Sequence, residues 1–183
     1  MTSESSLILK AVARRDNDAF SALVRMHQGK IRAYLVRLCK NYDLADDMAQ
    51  ETFLTAFRKL GSYKGEGNFS GWLFSIAHNC FLQHLRRTKR RIEITEQYGA
   101  QQDIYSDKYD ELSTQQMDLE QAMEQLNPDE IATITLCHSY GFSHQEVSNI
   151  LEMPLGSVKS NISRGKLKLK ETLNKKDRLE KAS

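Results

Sequence analysis

The sequence predicts an all-α protein made of two small helical domains joined by a flexible acidic linker. The 183 residues include only two prolines and nine glycines, too few for many short strands and their turns. Apolar residues recur at three- and four-residue steps over long stretches, which is the spacing of amphipathic helices. The recurrence is lost over residues 92–115, which are rich in Gln, Asp and Tyr. We therefore expect a first domain over residues 1–91, a linker, and a second domain over residues 116–175.

The first domain is predicted to begin with two helices. A short one places Leu7, Ile8 and Val12 inward. A longer one covers residues 17–40, and Asp16 or Asn17 can cap it, because short polar side chains accept hydrogen bonds from the first free N–H groups of a helix. The inward positions of this longer helix are Phe20, Leu23, Val24, His27, Ile31, Tyr34, Leu35 and Leu38.

An acidic helix and an aromatic-basic helix complete the first domain. The acidic helix runs from Asp43 to about Leu60, and Gly61 is well placed to end it. Residues 61–68, GSYKGEGN, then form a loop, and the aromatic-basic helix begins near Phe69. The apolar stripe of the acidic helix contains Leu44, Met48, Phe53, Phe57 and Leu60. The aromatic-basic helix ends in a cluster of cations: Arg86, Arg87, Lys89, Arg90 and Arg91.

Charge is distributed unevenly along the chain. The overall formal charge is +2, but residues 1–91 carry +8, residues 92–130 carry −10 and residues 131–183 carry +4. Two basic blocks therefore flank an acidic middle. This asymmetry suggests that both ends bind a polyanion. Ordinary solvated helix faces are the alternative explanation.

The second domain contains two clear helix starts. The segment 127–130, Asn-Pro-Asp-Glu, combines a capping residue, Pro at the first helical position and Glu at the capping-box position. Segment 143–146, Ser-His-Gln-Glu, is a second capping box, and Gly141 is expected to end the helix before it. Pro154 restarts the chain into a last helix, after which residues 176–183 form a basic tail. The short helix, the break and the longer helix have helix-turn-helix spacing.

This spacing predicts a surface that reads DNA. In a helix-turn-helix, the second helix enters the major groove with its N-terminal residues leading. If Val158 and Ile162 face the core, the polar residues beside them are exposed, and Arg, Lys and Ser side chains can reach base edges. We favour DNA reading over an ordinary helical hairpin with a basic face. The base-reading candidates are Lys159, Ser160, Ser163 and Arg164, and the phosphate-binding candidates are Lys166, Lys168 and Lys170.

The first domain offers a different chemistry. Capture of a melted strand needs flat apolar faces for the bases and cations for the phosphates. Tyr63, Phe69, Trp72 and Phe74 surround the glycine-rich loop, and the basic cluster lies beyond them. Phe69 and Trp72 are also at core spacing, so a structural role stays open for both. Asn79 and Gln83 could hydrogen-bond to base edges.

The acidic helix offers a further surface. Its residues Asp46, Asp47, Gln50 and Glu51 suit a basic partner protein, or they form an ordinary solvated face.

Several classes of protein fit poorly. Cys39, Cys80 and Cys137 are an odd, widely spaced set, which argues against a disulfide framework and for a reducing cytoplasm. No apolar run approaches the roughly 18 residues of a membrane span, and the N-terminus lacks the basic region of a signal peptide. His78 does not share a helix face with Cys80 and His84, so a metal site is disfavoured. Without a nucleophile elbow, Walker loop or paired carboxylates, we expect no enzyme and no cofactor.

Two groups of motifs point to one family. DLADDMAQETFLTAF, FSGWLFSIAHN and HLRR resemble the second conserved region of bacterial sigma-70 factors of the extracytoplasmic-function (ECF) group. LNPDE and GFSHQEVSNILEMPLGSVKSNISRGKLKLKETL resemble the fourth. Together they cover about two thirds of the chain in the family's order, and the pair is far more specific than either alone.

The resemblance implies a two-domain subunit that binds core RNA polymerase and directs it to promoters, usually under the control of an anti-sigma factor. The acidic helix would dock on a coiled coil of the largest polymerase subunit, the second domain would lie near the flap, and the linker near the active cleft. When the family's roles are carried over by position, the residues implied to contact polymerase are Asp46, Asp47, Gln50, Glu51 and Phe53. The residues implied to bind the −10 element of the promoter are Tyr63, Lys64, Asn68, Asn79, Gln83, Arg86 and Arg87. The residues implied to bind the −35 element are Ser157, Lys159, Ser160, Ser163, Arg164 and Lys168.

Two positions depart from the family pattern. Asn161 stands where many relatives carry Arg, so one DNA contact is expected to be missing or replaced. Gly165 is unusual inside a helix and is expected to cost about 1 kcal/mol relative to Ala.

A stand-alone helix-turn-helix regulator is the first alternative to a sigma factor, and it leaves the acidic and aromatic-basic helices unexplained. A protein–protein adaptor is the second.

Overall fold

The structure, a computed structural model, describes residues 3–63, 65, 68–96 and 122–180. Within these ranges the chain forms seven α-helices and no β-strand, which confirms the predicted all-α class. It divides into two compact units, Met1–Asp107 and Lys108–Ser183. The division falls inside the segment predicted as the linker, and residues 97–115 of that segment lie outside the described ranges. None of the described helices is long and apolar enough to span a membrane.

The first unit contains four of the described helices. They are α1 (Glu4–Arg14), α2 (Asn17–Cys39), α3 (Tyr42–Lys59) and α4 (Phe69–Glu96), and a 3-10 turn, Leu60–Ser62, follows α3. Gly61 therefore lies inside this turn. Helix α4 continues five residues past Arg91, so the predicted linker cannot begin before residue 97.

Local capping sets where the helices of the first unit begin. Asp16 caps α2, because its Oδ1 accepts hydrogen bonds from the backbone N–H groups of Asp18 and Ala19, each at 3.0 Å. Helix α3 begins one residue earlier than predicted. Its cap is Asn41, whose Oδ1 accepts from the backbone N–H of Leu44 at 2.8 Å.

Helices α2 and α4 supply the centre of the first core. Their largest fully buried apolar side chains are Leu23, Ile31, Leu35, Leu73, Phe74 and Phe81. Tyr34 and His78 are buried among them, and the Tyr34 hydroxyl lies 3.0 Å from His78 Nδ1. Because the two polar groups satisfy each other, their burial avoids the cost of an unpaired polar atom.

The second unit contains the other three described helices, α5 (Pro128–Ile134), α6 (His144–Ile150) and α7 (Leu155–Glu180). A π-helical turn, Thr135–Ser139, extends α5. Helix α7 continues through Glu180, so the predicted basic tail over residues 176–183 is helical in its first five residues. Ahead of α5, Ala122, Met123 and Leu126 are buried.

Both predicted capping boxes are confirmed. Asn127 Oδ1 accepts from the backbone N–H of Glu130 at 2.9 Å, and Glu130 Oε2 accepts from the backbone N–H of Asn127 at 3.1 Å. Ser143 and Glu146 exchange the equivalent bonds at 3.3 and 2.8 Å. Gly141, between the two boxes, has a φ of +75°, which glycine adopts without strain. These local signals therefore fix the starts of α5 and α6.

Gly165 lies where α7 packs closely against α5. A Cβ built on Gly165 would lie 2.4 Å from Ile134 Cδ1 and 3.6 Å from Glu130 Cβ. Because Ile134 is itself buried, its terminal methyl group would have to shift within a packed core to admit a larger residue. The glycine identified in the sequence as a helix-propensity cost therefore permits the close approach of two helices.

Candidate nucleic-acid and partner-binding surfaces

The solvent-facing side of α7 carries most of the residues predicted to read DNA. Val158 and Ile162 are 0% and 5% exposed and anchor the opposite side of the helix in the core. Ser157, Lys159, Ser160, Ser163 and Arg164 are all exposed, as the sequence predicts. A helix with one buried stripe and a Ser-, Lys- and Arg-rich outer face can enter a major groove.

The turn between α6 and α7 is held by its own hydrogen bonds. Ser148 Oγ donates to the Met153 carbonyl at 2.6 Å, and the Met153 N–H donates to the Ser148 carbonyl at 3.1 Å. Glu152, between them, has a left-handed φ of 51°. The N–H of Val158 then donates to the carbonyl of Pro154, which starts α7. The angle at which α7 leaves α6 is thus set by local bonds.

A buried carboxylate on α5 joins α5 to α7. Glu130 is 1% exposed, and its Oε2 accepts a hydrogen bond from Lys168 Nζ at 2.7 Å. Its Oε1 lies 3.5 Å from Arg164 Nε. Burial opposes ionisation of Glu130, but the bond from Lys168, the backbone bond from Asn127 and the charge of Lys168 outweigh it. The pKa of Glu130 is therefore lowered from its usual 4.5.

This cluster changes the role expected for Lys168. Its ammonium was predicted to contact a DNA phosphate, whereas in the structure it neutralises an internal carboxylate. Sequence reasoning missed the pair because it treated Glu130 only as the helix cap. Exposure in the structure separates Lys168 from its neighbours on α7, because Lys166 and Lys170 are exposed and Lys168 is half-buried.

Asn161 points into the unit. It is 5% exposed, and its Nδ2 lies 3.7 Å from the Met153 sulfur. Its Oδ1 accepts a hydrogen bond from Arg164 Nη2 at 2.5 Å. Because the side chain faces Arg164 and Met153, Asn161 does not itself present a group to solvent. The expectation that a DNA contact is missing or replaced at position 161 stays a prediction.

An aromatic cluster forms at the start of α4. The ring centroids of Tyr63, Phe69 and Trp72 lie 5.2–5.4 Å from one another. Phe69 is 3% exposed, whereas Tyr63 and Trp72 are partly exposed. Phe74 is completely buried, so its predicted place on a base-stacking surface is wrong. The core alternative thus holds for Phe69, and Tyr63 and Trp72 are the rings that reach solvent.

The exposed side of α4 continues this surface. Asn79, Gln83, Arg86 and Arg87 are all exposed, and their spacing places them on one side of the helix. Asn68 is exposed as well, but its Oδ1 accepts a hydrogen bond from the backbone N–H of Ser70 at 2.9 Å. Lys64, the remaining residue of this predicted set, lies outside the described residues.

An open apolar groove of about 740 Å³ lies between α2 and α3. Asp46, Gln50 and Phe53, three of the predicted partner-binding residues, line it. Leu54 and Phe57 add apolar surface and are 52% and 44% exposed. The predicted inward stripe of α3 is therefore wrong at Phe57. The groove also includes Phe20, Val24, Gln28 and Gly29 of α2, which sequence reasoning did not assign to a binding surface.

The acidic residues on α3 differ in their pairing. Asp46 binds Arg32 of α2 through both carboxylate oxygens, and the Arg32 guanidinium also lies 5.3 Å from the centre of the Tyr42 ring. Glu51 lies 3.6 Å from Arg58, and Asp47 is exposed. The lining of the groove therefore includes a solvent-exposed ion pair between Arg32 and Asp46.

The histidines weighed as metal ligands have other partners. His78 lies against the Tyr34 hydroxyl, and His84 Nε2 lies 3.2 Å from the Thr88 hydroxyl. In the described part of the chain, no group of three or more His, Cys, Asp or Glu side chains is arranged to hold a metal ion.

The fold and these surfaces define a helical, two-unit protein with a helix-turn-helix in its second unit. Comparison with known protein families shows which family the chain resembles. The profile for sigma-70 region 2 matches residues 23–91, and the profile for sigma-70 region 4 matches residues 116–169. These two matches cover the groove except for Phe20, the aromatic-basic surface of the first unit, and the helix-turn-helix of the second.

Individual relatives agree with the profiles. The chain is 35% identical over 166 residues to the ECF RNA polymerase sigma factor SigE of Mycolicibacterium smegmatis, which covers 86% of this chain and 62% of SigE. It thus spans less than two thirds of that relative. It is 32% identical over 170 residues to the RNA polymerase sigma-H factor of Pseudomonas aeruginosa, covering 87% of this chain and 88% of the relative.

A solved structure shows the same fold. The sigma factor RpoE from Bartonella quintana, determined in complex with the anti-sigma factor NepR, matches with a TM-score of 0.70 and 28% identity. The match covers 85% of this chain and 96% of that one. The chain therefore belongs to the sigma-70 family of RNA polymerase sigma factors, in its extracytoplasmic-function group.

Proposed function

We propose that this chain binds core RNA polymerase and directs promoter-specific initiation of transcription. The observation that carries the proposal is the presence, in one chain, of a helix-turn-helix with an exposed basic face and a separate unit with both a partner groove and an aromatic-basic surface. A regulator that acts alone needs only the first of these. A sigma factor needs all three, because it must hold the polymerase, read duplex DNA and capture an unpaired strand.

The exposed face of α7 would read the −35 element. Lys159, Ser160, Ser163 and Arg164 are exposed side chains that can reach base edges, with Ser157 beside them near the start of the helix. Lys166 and Lys170 are exposed cations farther along and suit phosphate contacts, which raise affinity without adding sequence information. Lys168 leaves this set because Glu130 holds it.

The aromatic-basic surface would bind and melt the −10 element. Tyr63 and Trp72 present partly exposed rings on which unpaired bases can stack. Asn79 and Gln83 can bond base edges, and the cations that follow on α4 neutralise phosphates. A strand held in this way cannot re-pair, so binding would stabilise the open promoter.

The groove between α2 and α3 would receive the polymerase. It combines exposed apolar side chains with carboxylates at its edge, which suits an amphipathic, basic helical partner such as a coiled coil of the largest subunit. Phe53, Leu54 and Phe57 would supply the buried contacts. Asp47, Gln50 and Glu51 would supply the polar edge, and Asp46 would share its charge between Arg32 and the partner.

Regulation by an anti-sigma protein is part of the proposal. It is supported by the likeness to RpoE, which was solved with the anti-sigma factor NepR. The chain would then work in the cytoplasm, where polymerase acts, and be released by a stress or envelope signal.

The test is transcription in vitro with purified core polymerase and the DNA upstream of the gene for this chain. We expect transcripts from a defined start site only when the chain is added, and none when the added chain carries Arg164→Ala and Lys159→Ala together. If the chain alone binds that DNA tightly and leaves the polymerase's choice of start site unchanged, it is a stand-alone regulator. If it binds polymerase without any effect of DNA sequence, it is an adaptor.

A further inference from the structure

Arg164, on the proposed DNA-reading face of α7, is held along one edge of its guanidinium. Its Nε lies 3.5 Å from Glu130 Oε1, and its Nη2 donates to Asn161 Oδ1 at 2.5 Å. Neither contact uses Nη1, and the side chain is 59% exposed. Since Nη2 carries two hydrogens, the outer edge formed by Nη1 and Nη2 still offers two N–H donors. That edge is the one with which arginine can read the O6 and N7 atoms of guanine.

The two residues that hold Arg164 cannot themselves reach a base. Glu130 and Asn161 are 1% and 5% exposed. The Nδ2 of Asn161 also lies 3.7 Å from the sulfur of Met153, in the turn that joins α6 to α7.

Charge and entropy favour such an arrangement. Glu130 is shared by Arg164 and Lys168, so the cluster of one carboxylate and two cations keeps a net positive charge that attracts DNA. A free arginine side chain loses rotational freedom when it is ordered on binding, which costs free energy. Contacts that order it beforehand reduce this cost upon binding and fix the direction in which the remaining donors point.

We propose that Asn161, together with Glu130, is a positioning residue that sets the base preference of Arg164. The position at which the family pattern places a further arginine thus acts in this chain through its neighbour one turn along the helix. The inference rests on the proposed function, because it requires that α7 reads duplex DNA.

The experiment uses holoenzyme assembled from core polymerase and the full chain. It selects bound promoters from a library of duplexes randomised in the upstream element, and sequencing gives the preference at each base pair. The chains compared are wild type, Arg164→Ala, Asn161→Ala, Asn161→Asp and the double variant Arg164→Ala with Asn161→Ala. Asn161→Asp keeps an oxygen acceptor for Arg164 but removes the donor to Met153.

We expect Arg164→Ala to lower the preference at one or two base pairs by about tenfold, the discrimination of one good bidentate contact. Asn161→Ala should lower the preference at those same base pairs by about three- to tenfold, and should have no further effect on them when Arg164 is already Ala. Asn161→Asp should retain the preference. The added negative charge weakens binding to all sequences alike, so it does not alter a ratio between sequences.

Three results would overturn the inference while leaving the proposed function intact. Asn161→Ala could keep the wild-type preference, or change it at base pairs that Arg164→Ala leaves alone. Alternatively, Asn161→Asp could lose the preference as fully as Asn161→Ala, which would assign the role to the Met153 contact. A wild-type holoenzyme that selects no sequence at all would instead reject the proposed function, and this inference with it.

Discussion

The ammonium of Lys168 lies 2.7 Å from the carboxylate of Glu130, whose side chain is 1% exposed. This pair crosses from α7 to α5 and joins residues that are 38 positions apart in the chain. Arg164 approaches the other oxygen of the same carboxylate. Helix α7 is therefore joined to α5 through a buried carboxylate.

Replacing Lys168 by Ala should destabilise the second unit by about 1–2 kcal/mol. The buried carboxylate would lose its nearest cation, although Arg164 would remain and the lysine is partly exposed, which limits the cost. Urea unfolding followed by circular dichroism measures the change. Lys170→Ala is the matched control, because Lys170 is exposed on the same helix. Equal stability of the two variants would show that the pair contributes nothing.

The stability that Glu130 provides should be lost in acid. Its folded-state pKa lies below the usual 4.5, so the ionised carboxylate stabilises the fold above that pH and ceases to do so as the pH falls through the folded-state value. The difference in unfolding free energy between wild type and Glu130→Gln should be constant above about pH 5.5 and shrink below about pH 4.5. Urea midpoints measured from pH 7 to pH 3 test this. A difference that persists undiminished at pH 3 would contradict the assignment.

Gly165 and Ile134 should be energetically coupled. Gly165→Ala alone should destabilise the unit by about 1 kcal/mol, because overpacking against Ile134 Cδ1 outweighs the gain in helix propensity. Ile134→Val removes that methyl group, and in its background the same alanine should stabilise instead. Unfolding of the four chains gives the coupling energy, which we expect to be about 1–2 kcal/mol. A coupling near zero would mean that the two side chains do not compete for space.

The groove between α2 and α3 can be tested with a pair of exposed leucines. Leu54→Arg should weaken binding of core polymerase at least about tenfold, since it places an extra cation in the groove proposed for a basic partner. Leu9→Arg is the control, because Leu9 is 68% exposed on α1 and does not line the groove. Both chains should keep wild-type stability. Titration of labelled chain with core polymerase distinguishes them, and equal loss of affinity for both would reject the groove.

Two aromatic residues of the first unit should behave in opposite ways. Phe74→Ala should cost about 3–5 kcal/mol of stability, because Phe74 is completely buried. Tyr63→Ala should cost less stability but weaken capture of an unpaired strand by about 1–3 kcal/mol, the value of one stacked base. Thermal unfolding and holoenzyme binding to a forked promoter separate the two effects. Undiminished fork binding by Tyr63→Ala would remove Tyr63 from the strand-binding surface.

Much of the fold follows from short-range signals. Asp16, Asn127 and Ser143 cap helices where the sequence predicts caps, because each bond joins residues only two or three positions apart. The same locality explains the predicted helix-turn-helix, whose turn is closed by Ser148 and Met153. The end of α4 was placed too early because the apolar periodicity is lost after residue 91, while the helix continues to Glu96.

Errors arose wherever a side chain's partner is distant in sequence. Phe57 has the spacing of a core residue, but α2 and α3 leave a groove between them, and its ring is 44% exposed. Phe74 was grouped with surface aromatics because of its neighbours in sequence, whereas the packing of α2 against α4 buries it. Periodicity identifies an apolar face without showing how completely other helices cover it.

By itself, the sequence determined the helices, their caps, the helix-turn-helix and the family, because these depend on residue spacing and on motifs that can be read in order. Only the tertiary structure decided which polar residues of α7 are available to DNA. Lys168 has the sequence character of a DNA contact, yet a carboxylate 38 residues away in the chain engages it within the protein. Such partners are set by the folding of α5 onto α7, which no local pattern encodes.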